Sequence, residues 1–260
     1  DTASVTVTVG GSNDAPVGPA AGALADGVED VAYVVSSAAL LAGFTDADGD
    51  TLSVTGLATS VGTLTNNGDG TWTLTTAANF NGAVTLSYTV TDGQGGSQAA
   101  ARSLNLAPAN DAPVALQVSG TVSEDGPAVT VAASFVDVDA SDTQTFQIVN
   151  PQVLQGGITN NNDGTFTYDP LQAFQSLAAG QTATETFTYR VTDAAGASSE
   201  STVTITITGV NDAPDAVNDT ASTNEDVPVI IDVLANDTDV DLYGETKAVA
   251  GVAGGTVGGM

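Results

Sequence analysis

The chain has 260 residues, with 31 acidic side chains against three basic ones, a formal net charge of −28, and neither His nor Cys. Three cations cannot neutralise phosphates, so nucleic acid and an anionic membrane surface are poor partners; the missing His and Cys exclude zinc sites, thiol chemistry and His-based triads. So much negative charge opposes compaction unless something cationic offsets it, yet Val, Thr, Ile, Leu, Phe and Tyr alternate between the charges in strand-like order, which argues against disorder.

In chain order, the first element is SVTVTV at residues 4–9, whose period-2 alternation predicts a strand running into Asn-Asp-Ala-Pro at residues 13–16. The same tetrapeptide returns at residues 110–113 and 211–214, at intervals of 110 − 13 = 97 and 211 − 110 = 101 residues. That is the size of a small domain, not of a solenoid repeat. Residues 1–13 therefore read as the last strand of a preceding repeat, 14–111 as repeat A, 112–212 as repeat B and 213–260 as the truncated start of a third repeat. With no signal peptide at Asp1, and no apolar run near the roughly 18 residues that span a bilayer, the chain reads as an internal, non-inserted piece of a longer protein.

Within repeat A, SSAALLAG (residues 36–43) predicts one helical turn. NNGDGTWTL (66–74) and NNNDGTFTY (160–168) predict matched hairpins, with Asn and Asp before Gly supplying positive φ. LSYTVTD (86–92), FTYRVTD (187–193) and STVTITIT (201–208) predict late strands, and LQAFQSLAAG (171–180) a second helical turn. Trp72, Tyr88, Phe166 and Tyr189 are candidate core residues. About seven short strands per repeat, separated by Gly, Asn and Asp turns, give an all-β fold: tandem Greek-key β-sandwiches of the immunoglobulin or cadherin type. The glycine-rich end, residues 251–260, is expected to stay loose.

Three acidic elements recur in order after Asn-Asp-Ala-Pro, the third copy stopping before the last of them. The first is Glu-Asp: Glu29-Asp30, Glu124-Asp125 and Glu225-Asp226. The second is an alternating Asp cluster: Asp46, Asp48 and Asp50; Asp137, Asp139 and Asp142; Asp237, Asp239 and Asp241. The third is the Asp that ends the Thr-Val-Thr-Asp strand, Asp92 and Asp193. In a Greek-key sandwich the second strand and the sixth run the same way, which brings the Asp cluster and the late Asp to one end, beside the linker. Carboxylates so gathered cannot all stay ionised without a counter-ion. A flexible, many-segment oxygen site suits Ca²⁺ better than Mg²⁺. The spacing is not that of an EF-hand: DADGDTLSVTGL (46–57) has Gly at the fourth position, not the sixth, and Leu57 where a bidentate Glu is required.

This ordered set resembles bacterial cadherin-like tandem repeats. Asn-Asp-Ala-Pro looks like the cadherin linker, and the Asp pairs look like the Asp-x-Asp motif. Repeat B, through LAAGQTATETFTYRVTDAAG (177–196), is similar to VCBS repeats of large RTX-type surface adhesins. The resemblance implies Ca²⁺ at the joints. The joint above repeat A would use Asn13, Asp14, Asp46, Asp48 and Asp92. The A/B joint would use Glu29, Asn110, Asp111, Asp137, Asp139 and Asp193, and the next would use Glu124, Asn211, Asp212, Asp237 and Asp239. Repeat A lacks a match to the mid-domain Asp-Arg-Glu triplet of cadherins, so fewer ions per joint are expected.

The implied function is a non-enzymatic extender of a bacterial cell-surface or secreted adhesin. Its partners would be neighbouring repeats of the same chain, with a surface ligand bound through other domains. A carbohydrate- or protein-binding module appended to an extracellular hydrolase is the alternative. Catalysis by paired carboxylates fits worse, because these acids recur at joints instead of meeting once in a cleft.

Overall fold

The computed structural model describes residues 2–139, 143–149, 154–241 and 246–251. Asp142 and residues 252–260, which belong to two of the readings above, lie outside them. The chain divides into two compact units, Asp1–Asn110 and Asp111–Met260. It is an all-β protein of tandem β-sandwiches.

The first unit contains β1 (Ala21–Ala23), β2 (Gly27–Val28), β3 (Tyr33–Ser36), α1 (Ser37–Leu40), β4 (Ser53–Thr59), β5 (Thr63–Asn66), β6 (Thr71–Thr75), β7 (Gly82–Thr91) and β8 (Ser97–Ala107). One sheet has the order β1-β8-β7-β4, with β2 also lying on β8; the other has the order β3-β6-β5. The chain thus changes sheet after β2, after β3, after β4 and after β6, which is Greek-key connectivity. Alternation drives the packing. Val84, Leu86, Tyr88 and Val90 of β7 point inward against Val35 and Leu74 of the facing sheet, while Thr85, Ser87, Thr89 and Thr91 point out. Trp72 of β6 is only partly buried and packs against this core.

One inward position of β8 holds a cation. Arg102 is 4% exposed, between Ala100 and Leu104. Its Nη2 donates to the carbonyls of Ala42 at 2.8 Å and Leu40 at 3.4 Å, Nη1 donates to Pro19 at 3.5 Å, and the guanidinium lies 5.7 Å from the centre of the Phe44 ring. It closes the C-terminal end of α1, whose N-terminal end is capped by Ser36 accepting from the Ala39 N–H.

The second unit contains β9 (Val114–Leu116), β10 (Val118–Ser123), β11 (Val129–Ala132), β12 (Ser134–Val136), β13 (Thr145–Val149), β14 (Gly157–Asn160), β15 (Thr165–Asp169), β16 (Thr182–Thr192) and β17 (Ser198–Thr208). Its sheets run β10-β17-β16-β13, β11-β15-β14 and β12-β9. β10 lies parallel to β17 over six residue pairs, from Val118↔Val203 to Ser123↔Thr208. Phe166, Tyr168, Phe187, Tyr189, Ile205 and Ile207 fill the core. The Tyr189 hydroxyl lies 2.5 Å from both the Leu116 and the Ser134 carbonyl, tying the opening strand to the sheet.

Three local expectations are corrected. Residues 4–9 are not a strand: Val5 and Val7 are 86% and 77% exposed, and among the described residues no strand lies beside them to accept the ladder. Residues 171–180 form turns, not a helical turn. Leu171 and Gln172 have φ of 51° and 57°, and Ala173 and Leu177 donate to the carbonyls of Pro170 and Phe174, three residues back. At the tip of the first hairpin positive φ falls on Gly68 and Gly70, not on the Asn and Asp before them; the second hairpin uses Asn162 and Gly164. Asn66 and Asp69 instead accept backbone N–H bonds from Gly68 and Thr71 through their side chains.

Candidate metal centre

The acidic clusters are built by one local device used three times. In each copy, the backbone N–H of the linker Asp donates to the second Asp of an Asp-x-Asp pair, whose own N–H donates to the first Asp. Asp14 donates to Asp48 Oδ2 at 2.7 Å and Asp48 to Asp46 Oδ1 at 2.9 Å. Asp111 donates to Asp139 Oδ2 at 2.7 Å and Asp139 to Asp137 Oδ1 at 3.0 Å. Asp212 donates to Asp241 Oδ2 at 2.8 Å and Asp241 to Asp239 Oδ1 at 3.1 Å. Backbone pairing fixes the register: Val17 with Thr45, Val114 with Val136, and Asp215 with Thr238, each joining the residue three beyond the linker Asp to the residue just before the pair. The third pair is therefore Asp239 and Asp241. Asp237 stands outside it, and its Oδ1 accepts from the Val217 N–H at 2.8 Å.

The late Asp residues are buried at the turn between the last two long strands. Asp92 is 4% and Asp193 5% exposed. Asp92 Oδ1 accepts from the N–H groups of Gln94 and Gly96, and its Oδ2 accepts from Asn13 Nδ2 at 2.9 Å. The Asn13 bond, followed by the turn amides, holds the Asp92 carboxyl below the usual range. Asp193 Oδ1 accepts from Ala197 N–H at 2.8 Å. In the first unit, carboxylate oxygens of Asp46, Asp48 and Asp50 lie within 4.8 Å of one another. Desolvation, then the charges of Asp46, Asp48 and Asp92, push Asp50 up.

The early Glu occupies the opposite end of each sandwich. Glu29 and Glu124 are both 2% exposed. Each donates its N–H to the last strand, at Ala107 or Thr208, and accepts through Oε1 from Ala109 or Val210 N–H at 2.8 Å. Glu29 Oε2 also accepts from Asn81 Nδ2 at 3.0 Å. Glu124 Oε2 has no hydrogen-bond partner, and neither have Asp212 Oδ2 and Asp241 Oδ1. These orphaned oxygens belong to one neighbourhood. Burial first, then Asp125, Asp212 and Asp241, raises Glu124, while burial first, then Asp125, Asp241 and Asp239, raises Asp212. Glu124, Asp125 and Asp169 line a cleft of about 220 Å³.

Residues 12–107 match the cadherin-like domain family and residues 110–209 the bacterial cadherin-like domain family. The chain is a tandem of bacterial cadherin-like repeats. Residues 211–259 match the bacterial Ig domain. No curated protein matches the chain. Among solved structures, human CDH23 EC21–23 matches at 16% identity and TM-score 0.48, covering 88% of this chain and 81% of that one. The extracellular cadherin domains 1–4 of protocadherin gamma B7 match at 16% identity and TM-score 0.46, covering 82% and 56%. An endo-fucoidan hydrolase of glycoside hydrolase family 107 matches at 19% identity and TM-score 0.31, covering 78% and 30%. The chain thus spans little more than half the protocadherin chain and less than a third of the hydrolase.

The donor set in these cadherin-like repeats is all oxygen, which suits a hard cation. No side-chain cation answers the orphaned oxygens. Arg102 is spent on carbonyls in the core, Arg190 pairs with Glu200 at 2.5 Å, and Lys247 donates to the Asp237 carbonyl. Among the described residues, Asp46, Asp48 and Asp50 are the group whose carboxylate oxygens come within 4.8 Å of one another, and Asp46 Oδ2 is also buried without a donor, so this group fits a bound divalent ion; Glu124, Asp212 and Asp241 share an uncompensated negative field that would draw one, with Asp125 and Asp239 beside them. Reading from sequence missed Asp241 as a ligand candidate. The signal was Thr238, the counterpart of Thr45, directly before the pair. Asn211, a linker candidate, donates its Nδ2 to the Asp212 carbonyl at 2.6 Å; Asn110 and Asp111 lie on the corresponding linker between residues 107 and 114.

Proposed function

We propose that this chain is a calcium-dependent extender segment of a bacterial cell-surface or secreted adhesin, without catalytic activity. The observation that carries this reading is the set of three buried, donorless carboxylate oxygens on Glu124, Asp212 and Asp241. They come from the end of one repeat, the linker and the start of the next segment. Without a counter-ion their charges oppose one another; Ca²⁺ would cancel that repulsion and cross-link the three stretches. Glu124 anchors the lower side through its Val210 bond, and Asp212 fixes the linker to Asp241. The same ligand types recur at Asn13, Asp14, Asp46, Asp48 and Asp92 in the first unit and at Asp111, Asp137, Asp139 and Asp193 in the second. The tandem arrangement supports a spacer.

Calorimetric titration with calcium tests the reading. Saturable binding is expected, weakened by Asp241→Ala and unchanged by Asp237→Ala. The absence of saturable heat in the unsubstituted chain, or an equal effect of the two substitutions, would refute it. A companion scattering measurement should give a narrower range of conformations in calcium than in EDTA.

A further inference from the structure

Repeats A and B carry the same buried Glu in the same backbone setting, yet only one of the two is left with an unanswered oxygen. Both glutamates are 2% exposed, both donate to the last strand, and both accept one linker N–H through Oε1. The difference lies in the segment between β6 and β7. There Asn79 donates its backbone N–H to Asp30 Oδ1 at 2.9 Å, and Asn81 donates its amide to Glu29 Oε2 at 3.0 Å. Both acids of the Glu29-Asp30 pair are thereby answered by protein donors. The strand register identifies the counterpart of Asn81. Gly82 pairs with Leu106 and Ala183 with Ile207, each one residue before the carbonyl that Glu29 or Glu124 uses, so Thr182 stands where Asn81 does. Thr182 is exposed and brings no amide to Glu124; Gln175 reaches Asp125 Oδ1 only, at 2.8 Å.

We propose that Asn81 acts as a built-in substitute for the cation at the Glu29 end of repeat A, so that the Glu124 end fills first and Glu29 contributes to a weaker site. The proposal rests on the reading that Ca²⁺ binds at these ends. A cation approaching Glu29 must displace the amide or share Oε2 with it, and the amide's positive hydrogen end faces the ion. A hydrogen bond to a charged group has a strength worth roughly tenfold or more in affinity. Asn81 is a positioning residue here, since it acts through Glu29.

The test uses the full chain, calcium titration by calorimetry, and thermal unfolding followed by fluorescence of Trp72, which reports the first unit. Asn81→Ala should tighten one weak calcium site roughly tenfold, lower the Trp72 transition in EDTA, and recover it in calcium. In a Glu29→Gln background, Asn81→Ala should leave calcium affinity unchanged. Glu124→Gln should remove the tightest site. An equal loss of stability in EDTA and in calcium would make Asn81 a structural residue only and overturn the proposal, as would loss of the tightest site in Glu29→Gln. If Glu124 binds calcium while Asn81→Ala changes no affinity, this inference alone falls. If the chain binds no calcium, the proposed function falls with it.

Discussion

Glu124→Gln should change the sign of its effect with calcium. In EDTA the wild-type carboxylate keeps one buried oxygen without a donor, next to Asp125, Asp212 and Asp241. Leaving such a group unanswered costs about 1–3 kcal/mol. Gln retains the acceptor for Val210 N–H, removes one charge, and offers an amide donor to its acidic neighbours. The variant should therefore be more stable than wild type by about 1–3 kcal/mol in EDTA, which at about 3 °C per kcal/mol is a rise of roughly 3–9 °C for a domain of this size. In calcium it lacks a charged ligand. Wild type at 1,000 times its dissociation constant gains about 4.1 kcal/mol from the ion, which exceeds that range, so the order should reverse. Differential scanning calorimetry of both proteins in both buffers measures this, with Trp72 fluorescence as an internal control on the first unit. Glu124→Gln lying below wild type in EDTA would refute the claim that this carboxylate is an uncompensated charge.

Glu124 and Asp212 are raised in the fold, so their stabilising protonation is complete below the unfolded values and lost as pH rises through the folded ones. In EDTA the second unit should thus gain stability as pH falls from neutral toward about 4.3, and calcium should flatten that slope. The lowered carboxyls of Asp69, Asp92 and Asp163 act oppositely, losing stability only as pH falls below about 3.9; a melting series against pH separates the two windows. Arg102→Met keeps the apolar stem but strands the carbonyls of Pro19 and Ala42, while Leu40 keeps the Tyr88 hydroxyl as donor, and should cost about 2 kcal/mol in urea unfolding read by Trp72. Tyr189→Phe should cost about 1–2 kcal/mol in the second unit only, through the Leu116 and Ser134 carbonyls.

Where the sequence alone sufficed, the period was long and the contacts were local. The alternation in residues 86–92, 187–193 and 201–208 falls on β7, β16 and β17, with Asp92 and Asp193 one residue past their strand ends, and SSAALLAG holds its capped turn. The failures share a cause. In DTDVD, period-2 spacing makes Asp237 with Asp239 and Asp239 with Asp241 look alike, and only the pairing of Asp215 with Thr238 separates them. Residues 4–9 have the pattern of a strand, but a strand also needs a neighbour, which no pattern supplies. Apolar spacing in residues 171–180 suggested a helical turn, yet positive φ at Leu171 and Gln172 breaks it. Asn81 carries no local signal at all, because its partner Glu29 is 52 residues away.

The parallel pairing of the opening and closing strands has a mechanical consequence. Because β10 and β17 run the same way, the chain enters repeat B at one end and leaves at the other. Tension along the chain then slides these strands past each other, loading six residue pairs together instead of peeling them apart singly. In repeat A the corresponding contact is broken into β1, with three pairs, and β2, with two. Under a steady pull repeat A should therefore yield before repeat B, giving the segment a weaker link that extends first and spares its neighbour.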